Sequence, residues 1–126
     1  MAHVLVVDDD DDIRDILFDF LMEEGYQVSL AQNGEQAIAI LERERGLLVL
    51  LDLRLPGIDG EGVIRWIQDA QRTDHQVVVI TAGRPVLLER RWLKEGTVRA
   101  VVHKPINIDQ MLALLERLAP RKGQPS

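Results

Sequence analysis

The chain reads as an α/β domain, a doubly wound parallel sheet with helices on both faces. Five short apolar runs alternate with five segments of helical period over 126 residues. The first and third runs are continuously apolar, as strands buried on both faces are. Reactive residues sit just past the runs: residues 4–7 lead into Asp8 and Asp9, 47–51 into Asp52, 77–80 into Thr81, and 101–102 into His103 and Lys104. In a parallel sheet all carboxyl ends lie on one edge, and such folds bind ligands in the crevice outside it where the strand order reverses. These acids, the hydroxyl and the amine are therefore expected to meet.

The elements follow in order. After the first strand, Ile13, Ile16, Leu17, Phe20 and Leu21 recur at three- and four-residue spacing, predicting a helix with one buried face that Gly25 stops. Residues 27–31 alternate polar and apolar, which predicts an edge strand. A second helix is expected over 35–45 with Ala37, Ile38 and Leu41 inward, and a third over 61–70 with Val63, Ile64 and Ile67 inward; Asn33 and Asp59 suit their N-caps. Between the third strand and third helix, Leu55-Pro56-Gly57-Ile58-Asp59-Gly60 carries turn chemistry and forms a shaped loop beside Asp52. A fourth helix near 86–95 is less clearly amphipathic. A fifth near 108–118 places Ile108, Met111, Leu112, Leu115 and Leu118 on one side. Residues 1–119 make one domain, and 120–126 read as a C-terminal tail or the start of a linker.

Composition narrows the function classes. A domain of this size buries about two-thirds of its unfolded surface and needs no covalent staple. The absence of cysteine removes disulfides, thiolate metal sites and a cysteine nucleophile, and suits a reducing compartment, so the cytoplasm is expected. No apolar run has the length of a membrane span, and no basic start of a signal peptide precedes Val4. A net charge of -6 argues against direct nucleic-acid binding. Asp8 to Asp12 form an unbroken acidic run, while Arg90, Arg91 and Lys94 make a small basic patch.

Asp10, Asp11 and Asp12 are explained by the favourable dipole at a helix N-terminus. Asp8 and Asp9 close an apolar strand instead, and facing Asp52 they would gather three carboxylates whose repulsion demands a cation. Hard oxygen donors that leave room for water and a phosphoryl group suit Mg2+. Lys104 ends another strand, with Pro105 behind it favouring extended backbone. This set suggests phosphoryl transfer, with Asp52 as nucleophile, a metal held by Asp9 and Asp52 with Asp8 in support, Lys104 as a second positive charge and Thr81 as a hydrogen-bond donor. His3, His75 and His103 form no metal or relay spacing, and each is read as satisfied or exposed; alternation turns His103 away from the Lys104 face. Trp66 and Trp92 lie on expected helices.

Val6-Val7-Asp8-Asp9, Leu51-Asp52-Leu53-Arg54-Leu55-Pro56-Gly57-Ile58-Asp59-Gly60, Thr81-Ala82 and Lys104-Pro105 resemble the receiver domain of two-component response regulators over about residues 3 to 119. The resemblance implies a flavodoxin-like receiver fold with five helices and a five-stranded sheet in order 2-1-3-4-5. It implies a phosphoryl-accepting switch of a phosphorelay, with Asp52 taking its phosphoryl group from a phosphohistidine on a sensor histidine kinase or histidine phosphotransfer protein. By the same carry-over Asp9, Asp52 and the backbone carbonyl of Arg54 ligate Mg2+, with Asp8 acting largely through water. Thr81 and the Ala82 amide bind phosphoryl oxygens, and the Lys104–Pro105 bond is cis. Such a chain is not a conventional turnover enzyme; it acts on an unidentified downstream effector, and homodimerisation stays open.

Three departures from the family pattern stand out. Val101 occupies the position where receivers usually carry Tyr or Phe, which puts the usual aromatic readout in doubt. Residues 96–100 run one residue longer than the common form, so the loop before the fifth strand is expected to be reshaped. Arg54 and Gly83 occupy positions that tune phosphoryl lifetime in the family. The competing reading is a phosphate-independent receiver-like interaction module, for which Val101 is the best support. A flavodoxin-like cofactor binder or an aspartate-based phosphatase fits poorly: the acidic run would repel a cofactor phosphate, and Asp52-Leu53-Arg54 lacks a second Asp.

Overall fold

The computed structural model describes residues 2–82 and 86–120, and the side chains of all of these but 86–89. Gly83 and residues 121–126 of the expected tail lie outside the described residues. Strands β1 (His3–Val7), β2 (Gln27–Ala31), β3 (Leu48–Asp52), β4 (Gln76–Thr81) and β5 (Val98–His103) alternate with helices α1 (Asp11–Glu23), α2 (Gly34–Arg43), α3 (Gly60–Asp69), α4 (Val86–Glu95) and α5 (Ile108–Leu118). All strand pairs are parallel, in the order β2-β1-β3-β4-β5. The switch point lies between β1 and β3, where the chain first winds outward to β2 and then returns.

Alternation along the strands sorts the core into two layers. Leu5 and Val7, Val49 and Leu51, and Val77 and Val79 face α2, α3 and α4, where Leu41, Ile64, Ile67 and Trp92 close over them. Val4 and Val6, Leu48 and Leu50, and Val78 and Ile80 face α1 and α5, where Leu17, Leu21, Met111 and Leu115 cover them. Every residue of β3 is buried, which is why its run shows no alternation. β2 keeps its alternation because it forms an edge.

Local chemistry sets the helix ends. The Asp10 side chain caps α1 by accepting from the Asp12 and Ile13 amides, and Asn33, Asp59 and Asn107 cap α2, α3 and α5 in the same way. At the end of α1 the Gly25 amide bonds to Met22 O and the Tyr26 amide to Leu21 O, with Gly25 at φ +90°. This double closure needs the left-handed backbone that glycine adopts freely, so Gly25 stands just beyond the cap residue Glu24.

Three expectations need correction. Ile16 is 60% exposed, although its spacing places it with Leu17 and Leu21; α1 crosses the sheet on its Leu17–Leu21 stripe, and Ile16 points into a groove beside the β5–α5 connection. Ile108 is likewise 38% exposed at the start of α5. The extra residue near 96–100 does not enlarge the preceding loop. It is absorbed inside β5, where Val77 pairs with Val98 but Val78 pairs with Ala100, leaving Arg99 as a bulge.

Candidate functional site

Four strand ends deliver the predicted residues to one edge. The buried carboxylates of Asp8 and Asp52, at the ends of β1 and β3, and the exposed Asp9 each offer an oxygen within 4.8 Å of the others. Lys104, just after β5, reaches across with Nζ 3.2 Å from Asp52 Oδ2 and 3.5 Å from Asp8 Oδ2. Its backbone N–H donates to Thr81 O at 2.9 Å, which ties the lysine to the end of β4, and the following Lys104–Pro105 bond is cis. Alternation explains the convergence: Asp8, Asp52 and Lys104 continue the side of the sheet facing α1 and α5. Thr81, buried at the end of β4, continues the opposite side, and Ala82 follows it exposed.

The backbone around the acids is tightly specified. Asp8 Oδ1 accepts the Asp10 amide at 2.9 Å, and Asp52 Oδ1 accepts the Arg54 amide at 3.0 Å. The loop after β3 closes through Gly60 N–H to Leu53 O at 3.1 Å. Arg14, the single basic residue of α1, donates from Nη1 to Asp8 O at 2.6 Å and pairs with Asp11. Arg14 belongs to no motif in the sequence. Its signal was position, four residues past the Asp10 cap, where a long side chain turns back over the first helical turn.

Three acids against one lysine leave an excess of negative charge. Burial pushes the Asp8 carboxyl above its usual range, helped by the charge of Asp52 and opposed by the Asp10 amide and Lys104. Lys104 is raised despite its burial, because Asp52 and Asp8 favour its charged form. At 3.2 Å, the Asp52–Lys104 attraction is on the order of 5 kcal/mol gross at an effective dielectric of about 20, before desolvation is subtracted.

The donor set fits a small hard cation. Octahedral Mg2+ with ligands at about 2.1 Å separates neighbouring oxygens by roughly 2.9 Å and opposite ones by roughly 4.2 Å. The three carboxylate oxygens lie within 4.8 Å of one another, close enough to converge on one such ion, and the excess negative charge supplies the attraction. Among the described residues, no helix is long and apolar enough to cross a membrane.

The sequence profile of the response regulator receiver domain matches residues 4–116. The chain belongs to this family. The receiver is 32% identical over 122 residues to sporulation initiation phosphotransferase F of Bacillus subtilis, covering 95% of each chain. It is 40% identical over 126 residues to the transcriptional regulatory protein AruR of Pseudomonas aeruginosa, covering 96% of this chain but 50% of that one. Among solved structures it superposes with a TM-score of 0.82 and 25% identity on the receiver domain of the Saccharomyces cerevisiae response regulator Ssk1, solved with the histidine phosphotransfer protein Ypd1. That match covers 93% of this chain and 88% of the other. Receivers are phosphoacceptor switches of two-component phosphorelays, and they bind Mg2+ at an acidic pocket of this kind. The phosphate-independent module is the less favoured reading.

Proposed function

We propose that Asp52 is the phosphoacceptor, that Asp8, Asp9, Asp52 and the Arg54 carbonyl hold Mg2+, and that Thr81, the Ala82 amide and Lys104 receive the phosphoryl oxygens. The observation that carries this reading is a buried strand-end carboxylate set against two further acids and one lysine. The chemistry that Mg2+ supplies when bound is neutralisation of charge on the phosphoryl oxygens. The protein's own residues position the acceptor. The Arg54 amide and Lys104 each hold one Asp52 oxygen, and each oxygen keeps a lone pair. An Asp52 oxygen bonds to phosphorus as the P–N bond of the donor phosphohistidine breaks and the imidazole leaves with the electron pair. Lys104 then compensates the added charge of the aspartyl phosphate.

On this reading the donor is a sensor histidine kinase or a histidine phosphotransfer protein in the cytoplasm. The receiver is residues 1–119, with 120–126 a tail or linker start, and it is a switch rather than a turnover enzyme. A groove of about 330 Å³ opens beside Lys104, walled by Ile13, Ile16, Pro105, Ile106 and Ile108. It is apolar, adjoins the acceptor and suits an amphipathic helix bearing the donor histidine; the Ssk1 receiver was solved with a histidine phosphotransfer protein. The chain spans about half the length of AruR but nearly all of sporulation initiation phosphotransferase F. The downstream partner is accordingly proposed only as a protein that meets the phosphorylated surface.

The test is intact mass after incubation with Mg2+ and acetyl phosphate, with Asp52→Asn alongside. A single Mg2+-dependent phosphoryl adduct lost in the variant is expected. A wild-type chain that takes no phosphoryl group from acetyl phosphate or from phosphohistidine donors, or a variant that still takes one, would overturn the assignment.

A further inference from the structure

The loop that follows Asp52 is fastened to α2, and the fastening is built from residues on both sides. Glu35 stands in the first turn of α2, where its charge alone would be explained by the helix dipole. Its Oε1 nevertheless accepts the Ile58 amide at 3.0 Å, across the switch point. Two glycines make room for this contact. A Cβ on Gly34 would lie 2.2 Å from Ile58 O, and a Cβ on Gly57, itself at φ +70°, would lie 2.6 Å from Glu35 Oε1. The far end of the loop is equally close-fitted, since a Cβ on Gly60 would lie 2.6 Å from Leu53 Cα. Arg54 lies between these anchors, with its amide on Asp52 Oδ1.

We propose that Glu35 is a positioning residue of the phosphorylation site. By holding the Ile58 amide it fixes the 53–60 loop so that the Arg54 carbonyl and the Asp52 carboxylate face the same cation. This rests on the Mg2+ reading above. Glu35 is exposed and acts only through the loop. Without it the loop keeps its anchor at Gly60 but loses the one on α2, and cation binding must restore the order.

The experiment is calorimetric titration of the full chain with Mg2+, paired with amide hydrogen exchange at Ile58 and thermal unfolding. The proteins are wild type, Glu35→Gln, Glu35→Ala and Gly34→Ala. Glu35→Ala is expected to weaken Mg2+ binding about tenfold, near the low end of what loss of an outer partner costs a metal site, and to speed Ile58 exchange. Glu35→Gln keeps a carbonyl acceptor without the charge and should bind within about twofold of wild type, whereas Gly34→Ala, which presses on Ile58 O, should lose affinity as Glu35→Ala does. Equal losses in Glu35→Gln and Glu35→Ala would assign the effect to charge and overturn the proposal. Wild-type affinity in Glu35→Ala alongside faster Ile58 exchange would overturn it too. A wild-type chain without Mg2+ affinity would instead overturn the site reading beneath it, a result distinguishable from failure of the variants alone.

Discussion

His75, just before β4 at the end of the sheet away from the acids, allows a sharp prediction about stability. Its imidazole is buried; Nδ1 accepts the Leu47 amide at 3.1 Å, and Nε2 bonds to Leu41 O at 3.0 Å. An amide aimed at Nδ1 requires that nitrogen to be unprotonated, so the folded state takes neutral imidazole with its proton on Nε2. Burial is the main cause that lowers its pKa below 6.5, with Arg72 and Arg45 contributing. The Leu41 carbonyl and the Asp74 carboxylate, 3.6 Å from Nδ1, act in the opposite sense. Because the unfolded chain binds this proton more readily, the stabilisation is complete above about pH 6.5 and is lost as pH falls towards the folded-state pKa, by at most about 1.4 kcal/mol per pH unit. For 126 residues the unfolding entropy is about 0.26 kcal/mol/K, so the slope approaches about 5 °C per pH unit. Asp8 works with the reverse sign, since its raised pKa makes protonation favour the fold as pH drops. The informative quantity is therefore the Tm of wild type minus that of His75→Asn, measured by circular dichroism from pH 7.5 to 5. Asn can accept from Leu47, and Arg72 Nη1 still donates to Leu41 O at 2.8 Å, so the variant should fold. His75→Ala strands the Leu47 amide and opens a cavity, costing about 2–4 kcal/mol. A wild-type-minus-Asn difference that is flat with pH would refute the neutral-imidazole account.

Three further outcomes follow from the same geometry. Mg2+ at ten times its Kd should stabilise the fold by about 1.4 kcal/mol, raising Tm by about 5 °C; Asp9→Ala should abolish most of that rise, and an equal rise in the variant would remove Asp9 from the ligand set. Ile16→Glu lies on an exposed position, so its Tm should stay near wild type; it should slow phosphoryl uptake from a phosphohistidine protein about tenfold or more while leaving uptake from acetyl phosphate unchanged, and parallel changes with both donors would count against the groove as a docking site. Gly25→Ala meets no atom within 4 Å, so urea unfolding should report only the backbone cost of a positive φ, about 1 kcal/mol.

The fold was legible because the sequence states its layers directly. Leu48 to Leu51 are apolar without interruption because both faces of β3 are covered, and 27–31 alternate because β2 is not covered in the same way. Asn33 and Asp59 announce their helices through short-range chemistry that needs no knowledge of the rest of the chain. The site residues were legible for a related reason: strand ends fix position, so a reactive residue just past an apolar run has a known destination. What escaped depends on contacts between elements far apart in sequence. Periodicity marks Ile16 as apolar but says nothing of what lies opposite it, and here that is an open groove. Glu35 looks like one more acidic residue at a helix start until the topology brings Ile58 beside it. The same holds for Arg72, which donates to Leu41 O and Glu44 O while pairing with Asp74, and holds the Asp74 carboxyl well below the usual range.

The bulge at Arg99 explains how β5 keeps its lysine aimed correctly despite an added residue. An insertion in a strand normally sends every later side chain to the other face. Val98 packs with Trp92 on the α4 side, and uninterrupted alternation would carry Lys104, six residues on, to that same side. With Arg99 unpaired, Ala100 and Val102 instead join the layer under α1 and α5, Val101 returns to the α4 side, and Lys104 falls beside Asp8 and Asp52. The insertion is thus compatible with an intact phosphoacceptor site. It also means that Val101 and Lys104 occupy opposite faces of one strand, and only Lys104 meets the acids. A small half-buried valine then stands where the family carries its reporting ring. With valine at 101, no aromatic ring there links the acids to the α4 side of this receiver; the site residue that lies on that side is Thr81, whose carbonyl accepts the Lys104 amide.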